Sequence, residues 1–245
     1  MGLVRTVAKE GVMARGIVVT SLVDALVEDL RNQVVSGVLA PGTPLTELDV
    51  ATRYEVARAS ARAAIERLTA EKVLVRNTHK TARVVHLGPE DVRDIYRTRT
   101  YLESEVLRRL AALRRVPAAA REANAEIAAL WAQGSYAVVE PDMRFHTSLI
   151  DELGSERTSA MYHSLAFEVK LCMAQLQGRQ QLSPEIIVAE HARLLELIAA
   201  GDATGAAAML DEHLARAREL LAASLGGEAG PEAFLPSSAL RGPTP

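Results

Sequence analysis

Apolar residues recur along this 245-residue chain at three-, four- and seven-residue spacings almost throughout, and in only one short stretch do they alternate. In "SLVDALVEDLRNQVVSG" Val23, Leu26, Leu30 and Val34 share one helical face, with Ser21 placed to cap the start and Gly37 to stop the helix. "LAPGTPL" then reads as a turn, "TELDVATRY" as a short second helix capped by Thr46, and "ARASARAAIERLTAE" as a third that turns Ala61, Ala64, Ile65 and Leu68 inward. "VLVRNTHKTARVVHL" holds two short β-rich runs about a polar turn. Gly88 and Pro89 in "HLGPED" interrupt any regular element, and beyond them the helical period takes over. Val92, Ile95, Leu102, Val106 and Leu110 begin it, and similar patterns follow near 118–133, 140–153, 156–177, 184–200 and 203–224.

Three helices followed by a hairpin is the order of a winged helix-turn-helix, and short breaks such as "GSE" make the later helices antiparallel neighbours. The expected fold is therefore mainly α. It has a winged helix-turn-helix over residues 20–87 and a bundle of about six helices over 90–224, between a flexible arm at 1–19 and a Gly- and Pro-rich, disordered tail at 225–245. A 49% hydrophobic composition is ample for such cores. The single cysteine, Cys172, cannot pair within the chain and fits a reducing cytoplasm, and no apolar run reaches the roughly 20 residues of a membrane span.

Net charge of −3 hides an asymmetry: residues 53–83 carry a local +5, whereas residues 87–245 carry −6. A basic front module on an acidic rear part is the footprint of a nucleic-acid reader joined to something else. Arg58 and Arg62 lie one turn apart on the exposed face of the third helix, opposite Ile65 and Leu68, where each guanidinium can meet a guanine edge or a phosphate. Solvated or ion-paired arginines are the bland alternative. His79 and Lys80 fall at the wing tip, in reach of phosphate or the minor groove.

In the rear part, "PDMRFHTSLI" sets Asp142 and His146 four residues apart, on one face of a helix that also buries Met143, Phe145, Leu149 and Ile150. His191 and His213 stand beside inward-facing leucines in two later amphipathic stretches. One carboxylate and three imidazoles converging from three helices form a metal site, although a lone helical histidine is more often a hydrogen-bonded core or surface residue. Oxygen and nitrogen donors without thiolate suit Zn²⁺, Ni²⁺, Mn²⁺ or Fe²⁺. Glu190 and Glu212 precede two of these histidines and should point about 100° away from them. His163 is expected to be a core or supporting residue, and Trp131 and Tyr162 packing residues.

The run "GVLAPGTPLTELDVATRYEVARASARAAIERLTAEKVLVR" resembles the DNA-binding domain of the GntR family of bacterial transcription regulators. That pattern has a Gly-x-Leu-x-Pro-Gly turn, then Leu-x-Glu, then Val-Ser-Arg-Thr-Pro-Val-Arg-Glu-Ala-Leu. "VARASARAAI" keeps both arginines, replaces the capping serine by Ala57 and the proline by Ser60, and the wing lacks the usual glycine-rich tip. The segments "IYRTRTYLESEVLRRLAA", "DMRFHTSLIDELGS" and "EHARLLELIAAGDATGAAAMLDEHL" resemble the ligand-binding domain of the FadR-type subgroup, in the variants that hold a metal through Asp-x3-His and two later histidines. The resemblance covers roughly residues 21–224. It implies a homodimer on a pseudopalindromic double-stranded operator, with Arg58, Ser60, Arg62, His79 and Lys80 at the DNA and Asp142, His146, His191 and His213 on the ion. It also implies a small carboxylate effector bound by the metal and by an arginine of the first bundle helix. Arg99 is that arginine, or else the partner of Glu103 in an internal ion pair. A repressor is the function implied; the rival is a metal-dependent hydrolase, because an open ion held by Asp and three His can activate water.

Overall fold

The computed structural model of the protein describes residues 21–76, 80–131, 138–175, 183–234 and 237–240. The expected arm therefore lies outside the described residues. Helix α1 spans Leu22–Val35, and its start is closed by a capping box in which Ser21 Oγ accepts the Asp24 N–H while Asp24 accepts the Ser21 N–H. Helix α2, Glu47–Arg53, is capped in the same sense by Thr46, and α3, Arg58–Ala70, buries Ala61, Ala64, Ile65 and Leu68 against it and α1. Burying aliphatic side chains of this size is worth about 1.5–3 kcal/mol each, so this small domain rests on its leucines, its valines and Ile65. The N-cap of α3 is Ala57, which offers no side-chain hydrogen bond.

The wing is a three-stranded antiparallel sheet of β1 (Pro44–Leu45), β2 (Leu74–Val75) and β3 (Ala82–Val84) in the order β1-β3-β2. Pairing of Leu45 with Ala82 corrects the reading of "LAPGTPL" as a turn alone. Pro44 lacks an N–H and is tolerated because β1 is an edge strand.

Pro89 at the first turn of α4, with the Gly88 N–H on Asp91, starts the bundle. The bundle comprises α4 (Pro89–Leu113), α5 (Ala118–Leu130), α6 (Val139–Glu152), α7 (Glu156–Gln175), α8 (Pro184–Ala200) and α9 (Ala203–Ser224). The two long helices α4 and α9 form its main packed pair, α5 lies on α6 and α8, and α8 turns into α9 through Gly201 in the left-handed region (φ 81°) and the Asp202 cap. Helix α1 also touches α7, where the Arg31 guanidinium lies over the Phe167 ring at 5.3 Å, and the larger of two hydrophobic clusters runs through both parts.

The tail departs from the expected disorder. Beyond α9 the chain makes 3-10 turns at Pro231–Phe234 and Ser238–Leu240 that lie on α9 and α8, and it buries Ala233 and Ser237. Low apolar content predicted an unanchored segment, but specific polar bonds hold it: Arg93 donates to the Glu228 carbonyl at 2.6 Å and the Gly230 N–H to Glu219 at 3.1 Å.

Candidate metal centre and DNA-reading face

Inward-facing positions of α6, α8 and α9 bring Asp142, His146, His191 and His213 together, with one potential ligand atom from each lying within 4.8 Å of all the others. All four are buried. The i, i+4 spacing on α6 stacks Asp142 under His146, as read from the sequence. His146 and His213 turn their Nε2 atoms toward each other at 3.3 Å, a separation two hydrogen-bonded or metal-facing nitrogens can share.

Two carboxylates hold these imidazoles from behind. Nδ1 of His146 is 2.7 Å from Glu103 Oε2 on α4, and Nδ1 of His213 is 2.8 Å from Glu190 Oε2 on α8. A carboxylate accepting the Nδ1–H fixes the tautomer whose Nε2 lone pair faces the cluster, an arrangement typical of metal-ligating histidine. His191 is held differently: its ring stacks on Phe145 with centroids 3.6 Å apart and planes 2° from parallel. Neither of its buried nitrogens has a hydrogen-bond partner, and Nε2 stands 3.5 Å from Asp142 Oδ1. Leaving a buried imidazole nitrogen unsatisfied costs about 1–3 kcal/mol, and a divalent ion would satisfy the one that faces the cluster; the donor set fits one.

The electrostatics prepare the same chemistry. Burial, and then the neighbouring His213, His146 and Arg99, push the His191 imidazole well below its ordinary pKa, so it is neutral and able to ligate. Burial likewise lowers His146, against the opposing pull of Glu103. Burial alone would raise the Glu103 carboxyl, but Arg99 and His146, with the Tyr162 hydroxyl, outweigh it and keep Glu103 ionised.

Arg99 makes the internal ion pair that was one of its two expectations. Its Nε donates to Glu103 Oε1 at 2.8 Å, the internal pair, while its Nη2 is buried and has no partner. Tyr162, expected only to pack, also donates its hydroxyl to Glu103 at 2.6 Å. Trp131 is 38% exposed, and His163, expected in the core or behind the site, is exposed and pairs with Asp151 at 3.2 Å.

On the front domain, Arg58 and Arg62 lie on the exposed face of α3 with half-buried Ser60 between them, and Arg62 Nε donates to Glu66 at 2.8 Å. That pair is exposed and worth little, so it can be traded for a nucleic-acid contact. Lys80 is exposed at the wing, and His79 lies outside the described residues.

This two-part plan coincides with two family models. The FCD domain matches residues 94–216, half of the chain, and the bacterial regulatory proteins of the gntR family match residues 22–84. The chain belongs to the GntR family. Its FCD domain places it in the FadR subfamily, a family of transcription regulators and not of enzymes, which removes the hydrolase reading. Over 90 residues it is 36% identical to the uncharacterized HTH-type transcriptional regulator BphR of Paraburkholderia xenovorans (strain LB400), a stretch covering 37% of either chain. Over 82 residues it is 35% identical to the gluconate operon transcriptional repressor of Bacillus subtilis (strain 168), covering 34% of this chain and 33% of the repressor. The chain thus spans about a third of the length of these curated relatives.

Two solved structures share the fold. A GntR transcriptional regulator from Rhodococcus sp. RHA1 superposes with a TM-score of 0.70 at 20% identity, covering 81% of this chain and 96% of that one. E. coli McbR/YncC does so with 0.66 at 21%, covering 82% and 97%.

In this GntR regulator the sequence pattern left two site residues unassigned. Glu103 was legible as the partner of Arg99 but not of His146. Glu190 does point away from its neighbour His191, but that direction leads to His213 on α9. The nearest sequence signal is a glutamate next to a candidate ligand on a helix that packs against the helix of another ligand.

Proposed function

We propose that this GntR/FCD protein is an effector-responsive repressor whose bundle holds one divalent transition metal, Zn²⁺, Ni²⁺, Mn²⁺ or Fe²⁺, through Asp142, His146, His191 and His213. The observation that carries the reading is His191, a neutral, buried imidazole whose nitrogens make no hydrogen bond and one of which lies among three other potential ligand atoms. When bound, the ion supplies a Lewis-acidic anchor for an anionic ligand. Charge balance argues for such a ligand. The buried groups around the centre are Arg99, Arg216, Glu103, Glu190 and Asp142, a net −1, which a divalent cation turns to +1 and a small carboxylate then neutralises. The unpaired Nη2 of Arg99 is the donor available to that carboxylate.

Arg58, Ser60 and Arg62 face the operator from α3, and Lys80 and His79 from the wing. Two copies set their recognition helices on the halves of a pseudopalindrome in the cytoplasm, where the operator is. Repression is carried over from the gluconate operon repressors it resembles. Among the described residues no helix is long and apolar enough to cross a membrane.

The test is operator binding by fluorescence anisotropy, with a panel of small carboxylates, before and after chelation. Metal removal should abolish the effector's influence on operator affinity while leaving effector-free binding in place. A chelated protein that still responds fully would remove the ion from the effector site.

A further inference from the structure

The segment that follows α9 lies beyond the residues matched by the FCD model, which end at 216, yet it reaches the back of the metal centre. Gly226, in the left-handed region at φ 95°, ends the helix, and the Gly227 N–H closes on Ala222 O at 3.0 Å. Gly227 then passes so near the start of α4 that a Cβ there would sit 2.8 Å from Pro89 Cβ and 3.0 Å from Ala222 O. The Arg93 and Glu219 bonds pin residues 228 and 230.

The decisive contacts come at Ser237 and Ser238. Ser237 is 1% exposed, its hydroxyl accepts the Ala239 N–H at 3.3 Å, and it bonds the Glu190 carboxylate that holds Nδ1 of His213. Facing a carboxylate oxygen, the serine hydroxyl is the donor. The Ser238 N–H donates to Glu212 Oε1 at 2.6 Å. Arg216 forks between the two carboxylates, meeting Glu190 Oε1 through Nη1 and Glu212 Oε1 through Nη2. His213, Glu190 and Arg216 are thus a buried chain of hydrogen bonds that ends on half-buried Glu212, and the tail supplies donors at both of its acidic members. Without the tail, Glu190 keeps Arg216 on Oε1 but loses the serine donor, so its carboxylate is held toward His213 by one partner fewer.

We infer that Ser237 is a positioning residue for His213: by holding the Glu190 carboxylate it orients the imidazole Nε2 toward the ion, and the C-terminal segment thereby sets the affinity of the metal centre. The affinity half rests on the metal reading above; the positioning half does not. Removing a partner that orients a metal ligand lowers metal affinity by about 10–100-fold. Ser237 acts one bond further out and should cost near the lower figure.

The experiment compares the full-length protein with Ser237→Ala, with a chain ended after Phe234, and with Ser238→Ala, which keeps its N–H. Ni²⁺ affinity is measured by chelator competition, and the His213 Nδ1–H proton resonance is followed in the metal-free proteins. Ser237→Ala and the truncation should weaken Ni²⁺ binding about tenfold and move or broaden that resonance, while Ser238→Ala matches the parent. An affinity within about twofold of the parent together with an unmoved resonance overturns the inference, and so does a truncated chain indistinguishable from the parent if the point variant does not fold. A parent that takes up no Ni²⁺ defeats the metal reading and the affinity half with it; the resonance still decides the positioning half.

Discussion

Glu103→Leu is the substitution whose cost can be worked most directly from the geometry. The Glu103 side chain is 1% exposed and accepts from Arg99 Nε at 2.8 Å, from the Tyr162 hydroxyl at 2.6 Å and from His146 Nδ1 at 2.7 Å. Its loss strands a guanidinium that is itself 2% exposed. Leaving one partner of a buried ion pair uncompensated costs about 3–5 kcal/mol. The orphaned tyrosine and histidine donors share that network, so their losses of about 1–3 kcal/mol each do not simply add. The expected loss is therefore about 4 kcal/mol, a large part of the margin of an ordinary domain. The assay is urea unfolding of the chelated protein followed by helical circular dichroism, for Glu103→Leu, Arg99→Met and the double variant. The double variant should be more stable than Glu103→Leu alone, because an apolar pair leaves no unpaired charge. A loss below about 1 kcal/mol for Glu103→Leu, or a strictly additive cycle, would show that the pair is solvated and that Glu103 does not organise the site.

Arg58→Ala and Arg62→Ala should each weaken binding to the specific operator by about 1–3 kcal/mol if they read bases; gel shifts with unchanged affinity for both would move the DNA interface elsewhere. Ala57→Ser should stabilise α3 by about 1 kcal/mol, since Ala57 already has the extended backbone of an N-cap (φ −63°, ψ 143°) and lacks only the acceptor. A thermal midpoint that stays put or falls would contradict this. Burial pushes the Cys172 thiol up to about 12, so at pH 8 it stays protonated and covered, and a disulfide reagent should modify it only upon unfolding. Rapid modification of the native protein would show that this part of the core opens.

What the sequence disclosed and what it hid divide along physical lines. Helix faces were legible because burial repeats with the helical period: Leu26, Leu30 and Val34 of α1, and Ile65 and Leu68 of α3, are buried as their spacing predicts. The convergence of Asp142 and His146 was legible for the same reason, since four residues make one turn. Contacts between helices distant in sequence carry no such period. Nothing local tells Glu103 that it faces His146, 43 residues away, or Glu190 that it faces His213. Strand β1 is two residues long, too short to show alternation. The tail was misread because composition measures apolar driving force, whereas its anchors are a buried serine hydroxyl and backbone groups bonded to Glu190, Glu212 and Glu219.

The proposal that Asp142, His146, His191 and His213 hold one ion is tested most directly by titrating the chelated protein with Ni²⁺ or Zn²⁺ in a calorimeter, alongside His191→Ala. His191 is the choice because its nitrogens make no hydrogen bond that the substitution would break, although its ring leaves a void beside Phe145. The account predicts about one tight site per chain in the parent and a loss of at least roughly 100-fold in affinity in the variant. Parent protein that takes up neither ion, or a variant that binds as tightly as the parent, would contradict it.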